Sequence, residues 1–185
     1  MIRQVFRFAI CGMAGLVLMA GFTGGASAAT RQGAWELGPY LGYVFFDSND
    51  GFDINNDFGL GGRGGYFLTK NHEIEFDVLM IGSDIDGGPN VDVNTWTLGY
   101  VYNWTGNKDM VPFVRFAFGS TNFDAGSSDE DDTTLAAGGG VRFFTMNNFA
   151  IRVGGAILRV DSDPDATNNI MFDGGVSWFL GGSKK

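Results

Sequence analysis

Eight segments of the chain alternate large apolar side chains with small or charged ones. The pattern is clearest over 93–104. There Trp96, Leu98, Tyr100, Tyr102 and Trp104 share one face, and Thr95, Thr97, Gly99, Val101 and Asn103 share the other. A strand sends successive side chains to opposite faces. The alternation therefore predicts strands at 34–46, 58–69, 73–82, 93–104, 111–120, 134–144, 149–160 and 170–180. Segments of about ten residues with this period, separated by turns, are the pattern of a transmembrane β-barrel.

The connectors alternate in length. Lys70-Asn71-His72, Thr105 to Met110 and Thr145 to Asn148 are short. Asp47 to Asp57, Ser83 to Asp92, Thr121 to Thr133 and Asp161 to Asn169 are longer. Outer-membrane barrels have short turns on the periplasmic side and longer loops outside. With an even strand count, both termini fall in the periplasm. One hairpin pattern occurs twice, as Gly64 to Asn71 and as Gly140 to Asn147, with the form G-x-x-F-[LF]-T-x-N. It reads as shared turn chemistry and not as a solenoid repeat.

The ends place this array in a compartment. Residues 1–29 read as a signal peptide: Arg3 and Arg7 precede an apolar run from Phe8 to Phe22, and Ala26-Ser27-Ala28 supplies small residues for cleavage. The run is short and glycine-rich for a membrane anchor. The one cysteine, Cys11, lies within it, so the expected mature chain needs no disulfide. Residues 30–185 then form one barrel domain, destined for the outer membrane after export. No later apolar run is long enough to span a bilayer as a helix. In that setting only a closed barrel satisfies the backbone polar groups.

Composition narrows the partners. All 21 acidic residues fall in the mature part, together with ten of the 12 basic ones, a net charge of −11. That balance argues against nucleic acid, whose phosphates it would repel.

A soluble sandwich would also alternate, with its apolar face turned inward. Here the polar face is unsuited to water, because no lysine falls within an expected strand. It carries Gly, Ala and Thr, interrupted by charges. Glu36, Glu75, Asp77 and Asp173 lie on that face in strands one, three and eight. Arg63, Arg115, Arg142 and Arg152 lie on it in strands two, five, six and seven. An eight-stranded barrel has room inside only for packed side chains. Four acids against four arginines therefore predict an interior salt-bridge network, since a charge buried unpaired is costly. Trp35, Trp96, Trp104 and Trp178 are the expected aromatics of the membrane interfaces.

Candidate chemistry is sparse. The one histidine, His72, falls at an expected turn with no serine and carboxylate converging on it, so an enzyme is not expected. No cofactor motif is present, and no Cys/His spacing suits a metal. The longer loops are acidic and carry no Lys or Arg. Within them Asp161, Asp163 and Asp165 have the D-x-D-x-D start of a calcium loop, but Ala166 replaces its glycine and no distal Glu follows. A hydrated repulsive surface is the plain reading; divalent cations shared with anionic lipopolysaccharide are the sharper one.

Gly138 to Arg152, a Gly-rich strand, short turn and strand, resembles the recurrent unit of the small outer-membrane β-barrels that include the transmembrane domain of OmpA. Gly175-Val176-Ser177-Trp178-Phe179 resembles their closing strand. The likeness covers residues 33–182. It implies an all-β fold, an eight-stranded antiparallel up-and-down transmembrane barrel. It also implies that the terminal aromatic is read by the barrel assembly machinery, although here Leu180 to Lys185 follow it. No peptidoglycan-binding domain follows in this sequence, so a cell-wall tether is not implied. The expected role is structural, an envelope-stabilising barrel with a charge-plugged interior, set among outer-membrane lipid and lipopolysaccharide. A narrow pore for ions or small solutes is the first alternative. Surface interaction of an adhesion type through the acidic loops is the second.

Overall fold

The computed structural model describes residues 30–47, 55–84, 90–107, 109–124, 129–161 and 166–182. The expected signal peptide, residues 1–29, lies outside the described residues. Eight strands follow in order: β1 (Ala34–Phe45), β2 (Asp57–Phe67), β3 (His72–Asp84), β4 (Asn90–Asn103), β5 (Met110–Asp124), β6 (Asp129–Met146), β7 (Phe149–Asp161) and β8 (Ala166–Gly181). Each pairs antiparallel with the next, and β1 pairs with β8 to close the barrel. Closure leaves no edge strand unpaired. Among the described residues no helix is long and apolar enough to cross a membrane.

Two expectations change. The expected loops at 83–92, 121–133 and 161–169 are paired strand over half or more of their length, because β3 to β8 run past the end of the apolar alternation. An antiparallel ladder satisfies its own backbone groups in water as well as in lipid, so pairing does not stop where the apolar pattern does. The Thr95, Thr121 and Thr134 hydroxyls hydrogen-bond in series there, at 2.9 and 2.6 Å. The two copies of the hairpin pattern are also not equivalent. Phe67 points inward and is fully buried, whereas Phe143 is exposed on the outer wall. The copies sit one residue out of phase with the pleat, and such an offset reverses every side chain. Phe144, not Phe143, packs beside Phe67 in the interior.

The outer wall is apolar: Leu37, Leu41, Phe76, Met80, Phe116, Phe118, Ile157 and Phe172 are all exposed. The interior is stacked in three layers. At the end with the short turns, Ala34, Phe67, Ala150 and Phe179 form an apolar plug against Phe144. Above it lies a layer of buried charges. Beyond that, Tyr40, Val44, Leu79, Ile81, Val91, Val93, Ala117, Ala136, Leu158 and Met171 form a second, larger apolar layer. The Gly, Ala and Thr of the inner face are thus only part of its filling.

Candidate functional site: a charge layer between two apolar plugs

Strand pleating sets the layer. Glu36 on β1, Glu73, Glu75 and Asp77 on β3, and Asp173 on β8 share inner-face positions with Arg63 on β2, Arg115 on β5, Arg142 on β6 and Arg152 on β7. The structure brings together all eight charges singled out from the sequence and adds Glu73. Among the described residues the layer therefore holds five carboxylates against four guanidinium groups, and the expected four-to-four match does not hold.

Arg142 occupies the centre and is fully buried. Its Nη2 lies 2.8 Å from Glu36 Oε2, 2.9 Å from Glu73 Oε2 and 3.8 Å from Glu75 Oε2. Its Nη1 donates to Asn103 Oδ1. Arg152 bridges Glu36, at 3.3 Å, and Glu75. Arg115 Nε stands 2.9 Å from Glu75 Oε1, and Arg115 Nη2 donates to Thr97 Oγ1 at 2.5 Å. Arg63 reaches Asp173 at 2.8 Å and its cross-strand neighbour Asp77 at 3.5 Å. Shared carboxylates let each cation meet more than one anion, the arrangement that offsets the large desolvation cost of buried ions.

Neutral groups complete the layer. Tyr40 donates its hydroxyl to Asp77, and its ring lies 4.2 Å below the Arg63 guanidinium carbon. Ser177 donates to Glu36 at 2.6 Å. The Phe113 ring takes Arg142 at 4.7 Å and Arg152 at 4.1 Å, and such cation–π contacts gain strength when desolvated. Sequence reasoning missed Glu73, Tyr40, Asn103 and Ser177. All four share the inner-face parity of residues already singled out, and that was the available signal. Carboxylate oxygens of Glu36, Glu73 and Glu75 lie within 4.8 Å of one another, as a metal site would need. Arg142 Nη2 lies within ion-pair reach of all three, so these carboxylates already share a cation.

The remaining candidates lie apart. Trp35 pairs with Tyr66, Trp104 with Tyr102 and Trp178 with Phe149, all near the short-turn end, at ring separations of 4.9, 5.1 and 5.3 Å. Trp96 lies further along β4 and is exposed. A second aromatic group, Tyr43, Phe45, Phe58 and Phe172, marks the opposite end. His72 opens β3, with Nδ1 against the Tyr100 hydroxyl. Asp161 accepts from Arg159 Nε at 2.9 Å on the barrel exterior. Asp163 and Asp165 lie outside the described residues.

A closed barrel with an apolar exterior, aromatics at both ends and its charges inside defines a transmembrane β-barrel. Residues 14–178 match the outer membrane protein beta-barrel domain, and the chain belongs to that family, as an OmpA-like small barrel of the outer membrane. It is 34% identical over 152 residues to outer membrane porin F of Pseudomonas fluorescens, covering 71% of this chain and 45% of that protein. The chain thus spans less than half the length of that relative. The N-terminal β-barrel domain of Pseudomonas aeruginosa OprF has a similar fold, with a TM-score of 0.60 and 16% identity over 81% of this chain and 99% of that one. Neisserial surface protein A matches with a TM-score of 0.61 and 14% identity over 80% and 99%. The attachment invasion locus protein Ail of Yersinia pestis gives 0.56 and 16% over 80% and 99%.

Proposed function

We propose that the protein is a structural, envelope-stabilising barrel whose interior is closed to ions. The observation that carries this reading is the stack of three filled layers, with the charges held between two apolar clusters. An ion crossing the barrel would meet two dehydrated barriers and a charge layer already engaged with itself, and apolar constrictions of this kind exclude water. A role without catalysis fits the placing of His72 on the outer wall, beside Tyr100 and Tyr102. The exterior suits outer-membrane lipid and lipopolysaccharide as its surroundings.

A narrow pore is the second reading. It is favoured by the name of the porin relative and by a small cavity beside the charge layer. Single-channel recording of the refolded mature protein in a planar bilayer separates the two, with folding verified by its heat-dependent gel shift. A tight seal supports the closed barrel. Steady, resolvable openings would replace it with the pore and make Arg63, Arg115, Arg142 and Arg152 its selectivity residues.

A further inference from the structure

Among the described residues, three of the four buried arginines share both a cavity and an unsatisfied donor. A cavity of about 10 Å³ lies where the charge layer meets the outer apolar layer, lined in part by Arg63, Arg115, Arg152, Asp173, Ala156 and Met171. Those three arginine side chains are 4%, 9% and 3% exposed, and among the described residues the Nε–H of each has no aligned hydrogen-bond acceptor. Arg63 Nε and Arg115 Nε stand at ion-pair distance from Asp77 and Glu75 without being aligned to donate to them. Arg142 is the buried arginine that does not line the cavity. All three of its nitrogens have partners, in Glu36, Asn103 and Glu73. Among the described residues Arg31 Nε is also buried without a partner and lies outside this lining, but within the charge layer the unsatisfied Nε–H groups belong to the three arginines that line the cavity.

We propose that this cavity binds one structural water molecule, which accepts from the arginine Nε–H groups and donates to the Asp173 carboxylate. The size is right, since a cavity of roughly 10–15 Å³ holds one water, and a buried water needs two to four polar partners. The chemistry favours water over an anion. The layer already has five carboxylates against four guanidinium groups, so a further negative charge is opposed. Water can also satisfy donors and an acceptor together, which an anion cannot. The site ties β2, β5 and β7 to β8 through one molecule, and it does not depend on whether the barrel conducts.

Crystals of the refolded protein grown in bromide, with data on and off the bromine edge, test this directly. The expected result is a single peak without bromine signal, within about 3.2 Å of at least two of the three Nε atoms. A bromine peak, or no peak, overturns the proposal. A paired substitution tests it in solution. Ala156→Val pushes methyl groups into the cavity, while Ala156→Ser offers a hydroxyl that can stand in for the water. A urea midpoint for valine below that of serine is the expected outcome, because the displaced water leaves its donors stranded. A valine midpoint equal to or above that of serine describes a dry cavity and overturns the site.

Discussion

Arg142 and Arg152 face each other as direct cross-strand partners on β6 and β7, and the carboxylate of Glu36 joins them: its Oε1 accepts from both Arg142 Nε, at 3.2 Å, and Arg152 Nη1, at 3.3 Å. Like charges directly opposite are destabilising in a sheet. Their placement depends on Glu36, which arrives from β1, separated from β7 by β8 around the closed sheet. Glu36→Gln removes that bridging charge and leaves two buried guanidinium groups in mutual repulsion. A loss of about 3–5 kcal/mol is expected, the range for breaking a buried pair from one side. It is read from the urea midpoint of the refolded protein in detergent.

Glu73 and Glu75 stand two residues apart on one face of β3, and opposite responses are expected from them. Glu75 meets Arg115 and Arg152 closely and Arg142 at 3.8 Å. Glu73 meets Arg142 and accepts from Asn103, and among the described residues its buried Oε1 has no donor. It is the carboxylate in excess of the arginines. Glu75→Gln should lower the urea midpoint by an amount equivalent to about 3 kcal/mol or more. Glu73→Gln brings the layer to four against four, and an unchanged or raised midpoint is expected. An equal drop in both variants would show that the charge count does not govern stability here.

Glu73 also shows how far the sequence carries. Period-two parity placed eight charges on the inner face, including Arg63 of the glycine-rich β2. Glu73 obeys the same parity but lies at the first residue of its expected strand, where alternation no longer separates strand from turn. The cross-barrel partnerships, such as Glu36 with Arg142, follow from closure and tilt, which no local pattern encodes. The outer apolar layer was obscured for a related reason. Leu79, Ile81, Val91 and Val93 lie where β3 and β4 leave the charge layer. On β3 both faces are apolar there, with Val78 and Met80 outside, and on β4 the pattern inverts, with Asp92 and Asn94 outside, so hydrophobicity no longer marks the outer face although the alternation in space continues.

Gly61 and Gly62 are neighbours with opposite demands. A β-carbon on Gly61 would lie 2.1 Å from the Tyr40 ring, whereas one on Gly62 would have Val78 as its nearest neighbour at 3.8 Å. Tyr40 cannot yield freely, because its hydroxyl is engaged by Asp77 and its ring lies under Arg63. Gly61→Ala is therefore expected to destabilise by about 1–3 kcal/mol, the usual cost of overpacking. Gly62→Ala should be close to neutral. Thermal scans of the two variants by the gel shift check the contrast.

The layered filling makes a prediction about conductance that a single charged plug would not. Arg152→Ala opens space only between two apolar clusters, and Phe67→Ala opens space only below the charge layer. In each variant the outer layer around Leu79, Leu158 and Met171 stays intact, and a dry constriction there is enough to exclude ions. Bilayer recordings of either single variant are expected to stay at background, even though both lose stability. Phe67→Ala alone should cost about 3–5 kcal/mol, as for other buried aromatic truncations. Resolvable steps from the Arg152→Ala protein alone would assign the seal to the charge layer. Background in both variants is what two independent apolar barriers give, and Phe67→Ala combined with Leu79→Ser, Leu158→Ser and Arg152→Ala, which disrupts all three layers, is the next variant expected to conduct.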